Sequence, residues 1–277
     1  MGGAPGPMVN NDGKGLGIGR VDPGCRPARA AVGHLDETRE GDVRVKVEIW
    51  SDMVCPFCYI GKRQFERALA RFEHTDEVVV EWRSFELDAG APAERVGSQV
   101  EHLATKYGMS LAEAQAAQDR VQASAARVDL FFDFDRARPG NTFTAHRLVH
   151  LAADHGLSNE MEERLFSATF TEGLAIGDPE VLAPLAVEVG IPADEVDRVL
   201  GSDAYADAVR ADEDDARSLG VSGVPFFVVD RAFGVSGAQG EEVLLEVLQR
   251  AWAEARPLSV VTSGDPDAAC DDGSCAV

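Results

Sequence analysis

Val45, Val47 and Ile49 alternate with Arg44, Lys46 and Glu48, which predicts a strand with one apolar face. Gly61, Phe65, Ala68, Leu69 and Phe72 then recur at helical spacing, so 56–73 reads as a helix with Pro56 at its first position. VVVEWRSF at 78–85 is a second strand, and the three elements make a βαβ unit whose crossover should be right-handed. From 93 to 219 the apolar period is helical almost throughout, as in Val96, Val100, Leu103 and Tyr107. Ser110 and Glu113 form a capping box, and Asn141 is the expected N-cap of a helix over 142–154. Asp178-Pro179 opens another helix, carrying Val181, Leu182, Leu185 and Val189 and stopped by Gly190. PFFVV at 225–229 is a continuous apolar run of the kind a buried central strand shows, 233–236 is its partner, and Leu244, Val247, Leu248 and Ala251 line a helix over 241–254. The expected class is α/β: a βαβ half (43–92) and a ββα half (220–256) form one domain, with an all-helical insertion (93–219) between them. Residues 1–42, with eight glycines in the first 24 positions, read as a disordered leader, and 257–277 as a flexible tail.

Composition narrows the function classes. The 277 residues are 45% apolar and 7% aromatic, enough for a sizeable core that leans on Leu, Val and Ala. Acidic residues number 48 against 26 basic, a net charge of -22, which argues against nucleic acid and anionic membrane surfaces as partners. No run approaches the roughly 18 apolar residues of a membrane span, and 1–42 holds no apolar h-region, so action in the cytoplasm is expected. Structural disulfides are poorly sustained there, and the five cysteines need another purpose.

Cys55-Pro56-Phe57-Cys58 supplies one. It ends the first strand and opens the first helix, where unpaired N–H groups and a partial positive charge favour a thiolate. Cys55 is the expected exposed, attacking thiol and Cys58 the shielded thiol that resolves a mixed disulfide. A C-x-x-C placed after a strand in a βαβ unit reads as a redox motif, whereas two core cysteines would not call for Pro56 at a helix start. Gly223-Val224-Pro225 precedes the buried strand. Its plain reading is a loop-to-strand junction; its functional reading is a cis proline abutting the dithiol, leaving the Val224 backbone free to pair with an extended substrate. Pro56, Phe57 and Val224 are the candidate substrate contacts.

The remaining chemistry-bearing residues carry less. Cys270 and Cys275 flank Asp-Asp-Gly-Ser in the tail, whose reach of about 20–25 Å would let them serve as a second redox pair relaying to Cys55 and Cys58. The same four cysteines have tolerable spacing for structural zinc, but a pair at a helix start followed by a Val-Pro strand suits exchange better, so no metal is expected. Cys25 has no neighbour and reads as incidental. His146 and His150 lie four apart on one helix without the H-E-x-x-H pattern, and read as core or surface residues. DEDDAR at 212–217 lacks the glycine and terminal glutamate of a calcium loop and reads as a solvated helix face.

SDMVCPFCYIGKRQFE (51–66), NTFTAHRL (141–148), LFSATFTEG (165–173), IGDPEVL (176–182), GVSGVPFFV (220–228) and GAQ (237–239) together resemble the DsbA-like thioredoxin-fold oxidoreductases, FrnE-type subgroup, from about Val45 to Arg250. The resemblance implies a thioredoxin-like fold with an all-helical insertion, Cys55 as nucleophile, Cys58 as resolving thiol and Pro225 as the fold's cis proline. It implies a thiol–disulfide oxidoreductase or isomerase with no cofactor beyond its dithiol, with glutathione as a candidate co-substrate. Its substrates would be thiol- or disulfide-containing proteins or small molecules. DsbA carries His where this chain has Phe57, which donates no hydrogen bond, so a less extreme oxidant is expected. The same superfamily holds glutathione-dependent isomerases of aromatic carboxylates, and FrnE-like members are linked to polyketide pathways. Those isomerases typically lack a second active-site cysteine, so Cys58 favours the redox reading.

Overall fold

Two side chains on the polar side of the first strand are buried, and this sets the architecture. In a computed structural model describing residues 44–95 and 97–255, β1 (Val45–Ser51) leads through α1 (Pro56–Arg71) to β2 (Val78–Ser84). β1 and β2 pair in parallel, from Val45 opposite Val78 to Ser51 opposite Ser84. The helical insertion follows as α2 (Gln99–Tyr107), α3 (Leu111–Ala126), α4 (Phe143–Asp154), α5 (Ser158–Ser167), α6 (Pro179–Val189), α7 (Ala193–Leu200) and α8 (Ala206–Ser218). β3 (Phe226–Val229), β4 (Phe233–Ser236) and α9 (Glu241–Ala255) complete the fold. β3 runs antiparallel to β1 on its free side, with Val47 opposite Val229, and β4 antiparallel to β3, giving the order β2-β1-β3-β4. The expected elements are present within one or two residues at each end. The cap at 141–142 shifts by one: Asn141 Oδ1 accepts the Phe143 N–H at 3.0 Å, and Thr142 takes the N-cap position.

Val45, Val47 and Ile49 enter a hydrophobic core shared with Phe65 of α1, Leu148 and Leu151 of α4, Leu165 of α5 and Leu248 of α9. The insertion therefore contributes to the same core as the sheet. The expectation of a half-solvated β1 is corrected on its other side: Glu48 is 1% exposed and Trp50 is fully buried. The reason is α8. Trp50 Nε1 donates to the Asp212 carbonyl at 2.9 Å, and its ring packs with Ala216 and Val221. The Glu48 carboxylate accepts from Arg83 Nη2 at 2.7 Å and from Arg231 Nη2 at 2.6 Å. Burial alone would raise the Glu48 pKa; the hydrogen bonds from Arg231 and Arg83 outweigh it and hold the carboxyl below its ordinary value.

The acidic run on α8 is likewise not a solvated face. Asp212 is buried, with Oδ2 accepting the Ser84 N–H at 2.9 Å and Oδ1 3.0 Å from Arg83 Nη1. His150 Nε2 stands 3.1 Å from Asp212 Oδ2, and Asp215 Oδ2 pairs with Arg231 Nη2 at 2.7 Å. Asp214 alone among these three keeps the expected exposure, beside Arg217. A run of like charges looks solvated until its arginine partners, on β2 and after β3, are brought across the fold.

Removing Asp212 leaves Arg83 its pairs with Glu48 and Glu81 but strips the acceptor from the buried Ser84 N–H and from His150, and each polar group so orphaned costs about 1–3 kcal/mol. Asp212→Ala should lower the stability by about 3 kcal/mol, read as a fall in the urea midpoint, whereas Asp214→Ala should stay within about 0.5 kcal/mol of the parent. Equal effects from the two substitutions would restore the solvated-face reading.

Candidate active site

Cys55 is the N-cap of α1, in extended conformation, and Pro56 takes the first helical position. The Cys55 N–H donates to the Asp52 carbonyl at 2.9 Å and the Cys58 N–H to the Cys55 carbonyl at 3.0 Å, closing the strand-to-helix turn that carries both thiols. Both cysteines are free. From the other half of the fold, the Val224–Pro225 peptide bond is cis, and the Val224 carbonyl lies 3.5 Å from Cys55 Sγ. Gly61, one turn beyond Cys58, lets α1 approach this segment: a Cβ there would lie 3.0 Å from Pro225 Cγ. The structure thus sets the Val224 carbonyl beside Cys55 and Pro225 against Gly61 of the helix that carries both cysteines.

The exposure of the thiols differs from expectation. Cys55 is only 6% exposed and Cys58 1%. Cys55 opens not on a free surface but into a cavity of about 520 Å³, whose wall includes Pro56, Phe57 and Val224, with α2 and α3 across from them. Phe57 keeps 44% of its surface exposed at this cavity. Cys58 lies beneath, in an apolar cluster with Tyr59, Ile60, Phe132, Phe166 and Phe170. Burial, with the neighbouring Cys55 adding to it, pushes the Cys58 thiol well above the ordinary thiol range. The two thiols are therefore chemically unequal: one meets the cavity and the other is sealed. Tyr59 anchors the seal, stacked on Phe166 at 4.9 Å between centroids, with its hydroxyl donating to Glu163 Oε1 at 2.6 Å.

Sequence reasoning missed Asp52. It directly follows β1, is fully buried and lines the same cavity as Cys55. Oδ2 accepts the Leu87 N–H at 2.8 Å, and His146 Nε2 stands 3.9 Å from Oδ1. Burial raises the Asp52 pKa to about 6 against those hydrogen bonds, and burial lowers His146 to about 3, so the imidazole is neutral at pH 7. The usable signal was an acid just past the C-terminal end of a central strand, three residues before Cys55. His146 is buried as expected, but its Nε2 has no hydrogen-bond partner among the described residues. Deeper still, Glu162 is buried and raised to about 8 by its burial.

Among the described residues no group of three or more His, Cys, Asp or Glu side chains is arranged to hold a metal ion. Cys270 and Cys275, on which both the relay and the zinc readings rest, lie outside the described residues, as does Cys25. No helix among the described residues is long and apolar enough to cross a membrane.

A pair of thiols at a helix start, a cis Val–Pro bond whose Val224 carbonyl lies beside one of them and a helical insertion between two sheet halves are the features of a DsbA-like thioredoxin fold. Residues 46–249 match the DSBA-like thioredoxin domain, and the chain belongs to that family. It is 45% identical to a probable DsbA oxidoreductase from Streptomyces coelicolor, whose crystal structure superposes with a TM-score of 0.74 over 84% of this chain and 99% of that one. It is 29% identical to the uncharacterised Bacillus subtilis protein YwbO over 72% of this chain and 93% of the relative. A 2-hydroxychromene-2-carboxylate isomerase shares the fold at 13% identity and a TM-score of 0.57, over 76% of this chain and 97% of that one. The fold alone therefore does not choose between redox and isomerase chemistry.

The raised Asp52 pKa has a stability consequence with a definite sign. Its folded value, about 6, exceeds the ordinary aspartate value of 3.8, so the folded state binds the extra proton in that window and stability falls as pH rises through it. Asp52→Asn removes this loss. The variant should match the parent near pH 4 and exceed it by about 2–3 kcal/mol at pH 7, measured by urea unfolding at both pH values. A gap independent of pH would show that Asp52 is not the titrating group.

Proposed function

We propose that the chain is a cytoplasmic thiol–disulfide oxidoreductase working through Cys55 and Cys58. One observation carries the reading: two free thiols stand one helical turn apart, one opening on a cavity and the other sealed behind it. Cys55, at the positive end of α1, attacks a disulfide of the substrate and forms a mixed disulfide. The Cys58 sulfur then attacks Cys55 Sγ, releases the second substrate thiol and leaves Cys55–Cys58 oxidised. The buried Cys58 thiol must lose its proton for this step, and Asp52, raised to about 6 in the cavity wall with Cys55, is the proton-holding residue we assign to it. Pro56, Phe57 and Val224 contact the substrate, and Pro225 holds the Val224 carbonyl beside the reacting sulfur. The dithiol is itself the redox group, and glutathione or another thiol re-reduces it. The cytoplasm is the compartment in which such a pair is kept reduced.

Iodoacetamide at pH 7 should alkylate Cys55 at least about tenfold faster than Cys58, because the buried Cys58 thiol is held protonated. Cys58→Ser should accumulate a mixed disulfide on Cys55, seen by mass spectrometry, and Cys55→Ser should lose turnover altogether. In the parent protein the resolving step should speed up as pH rises through about 6, and Asp52→Asn should abolish that limb. Equal alkylation of the two cysteines, or turnover by Cys55→Ser, would overturn the assignment.

A further inference from the structure

We propose that the cavity above Cys55 binds a small disulfide with an apolar body and a carboxylate, the carboxylate being held by Lys106 and the amide of Gln118. The proposal rests on the oxidoreductase reading and names its substrate class.

The cavity face of α2 is the first argument. Gln99, His102, Leu103 and Lys106 all line the cavity, at i, i+3, i+4 and i+7, so one continuous stripe of the helix looks into it. A stripe at that spacing ordinarily seats a helix on a core with apolar residues. Here three of its four members are polar, and α2 has no buried residue. The stripe faces an open volume.

Charge is the second. The chain carries a net charge of -22 and only four lysines. Of the three within the described residues, Lys46 pairs with Glu81 at 2.9 Å and Lys62 with Glu163 at 2.9 Å. Lys106 has no carboxylate partner among the described residues; its ammonium lies 5.7 Å from the Tyr107 ring centroid. Arg95, also in the cavity wall, spends part of its guanidinium on Asp88, and its Nη1 is 2.6 Å from His102 Nε2, which must accept and so is neutral. Burial, then the charges of Arg95 and Lys106, lower the His102 pKa, with Asp88 a smaller opposing influence. This end of the cavity is therefore electropositive in a strongly acidic protein.

Gln118 of α3 is the third. It is 7% exposed and lines the cavity, yet its side-chain amide has no hydrogen bond among the described residues. Facing the cavity without a partner among those residues, this amide is available to donate to a ligand there. Phe57, Leu103, Val121, Phe134 and Phe170 give the wall its apolar part, and the acids it also holds are occupied, Asp88 by Arg95 and Asp52 by the Leu87 N–H. A volume of about 520 Å³ lies within the range of about 300–1,000 Å³ typical of small-molecule sites. Cys55 at 6% exposure is reached by a compact disulfide that enters this space.

The reaction balances without another reactant. Cys55 Sγ bonds one sulfur of the substrate as its S–S bond breaks and the first thiolate leaves. Cys58 then displaces the second thiolate from Cys55. Two electrons pass from the dithiol to the substrate, and two protons end on the released thiols.

The test uses the reduced full-length protein with three probes: the para isomers of bis(carboxyphenyl) disulfide, its dicarboxamide, and the thioether bis(carboxyphenyl) sulfide, which cannot exchange. Stopped-flow oxidation should be faster with the dicarboxylate than with the dicarboxamide. The ratio of the two rates should fall about tenfold or more in Lys106→Glu, an exposed position, and also in Gln118→Leu. Calorimetry should show the thioether binding the parent and binding Lys106→Glu about tenfold more weakly. A rate ratio near one in the parent, or one unchanged in Lys106→Glu, overturns the proposal, as does a thioether that fails to bind. If the thioether binds through Lys106 while neither disulfide oxidises the protein, the binding site stands and the oxidoreductase reading falls.

Discussion

A carboxylate buried in a central strand must be neutralised where it stands, and Glu48 of β1 imposes that requirement here. Arg83 supplies one cation from the neighbouring strand β2, and Arg231 supplies another from the turn after β3. The same two arginines reach on to Asp212 and Asp215 of α8. Strand pairing on both sides of β1 and docking of the last insertion helix are thereby tied to a single charge cluster. Trp50 seals the arrangement, with its indole N–H on the Asp212 carbonyl and the Arg231 guanidinium over its ring at 5.6 Å. Buried ion clusters contribute less to stability than to uniqueness in several systems, because misaligned alternatives leave charges unpaired. Slipping β1 by one residue would carry Glu48 to the opposite face, away from both arginines.

The dithiol occupies the boundary that this docking creates. Cys55 and Cys58 are on the sheet side, in the turn from β1 to α1, while the aromatic seal of Phe132, Phe166 and Phe170 and the cavity roof come from the insertion. The difference between the two thiols is thus a property of the interface, since the C-x-x-C turn alone would leave both near solvent. Arg147 of α4 shows how firmly the insertion is set. It is buried, and its guanidinium donates to the carbonyls of Val199, Ser202 and Ala204, ending α7 and fixing the approach to α8.

What was legible in the sequence follows the range of the interaction. The β1 alternation, the Ser110–Glu113 capping box, the Asp178-Pro179 start and the Gly190 stop are written within a few residues, and the structure has each of them. The C-x-x-C turn and the Val224–Pro225 junction were equally visible, because a helix start and a strand start leave local marks. The burial of Glu48 and Asp212 was not, since their partners stand 35 to 183 residues away and a charged residue carries no mark of being paired. Asp52 was missed for the same reason: only the packing of Leu87, Thr142 and His146 around it makes it a buried acid. The cavity over Cys55 also escaped, because the α2 stripe that lines it has the period of an ordinary surface helix.

The Cys55 thiol and the Val224 carbonyl beside it are separated by 169 residues of chain. On a ribosome adding about 5–20 residues per second, the two thiols emerge roughly 10–30 s before the segment that completes their wall. For that interval the nascent chain carries a C-x-x-C turn without β3, without the cis junction and with the insertion still being made. Pairing of β1 with β3 is a long-range closure of the kind that forms late, after local helices. The proposed site is accordingly a product of the last stage of synthesis. Until then these are two ordinary cysteines, exposed to whatever thiols and disulfides the translating cell contains.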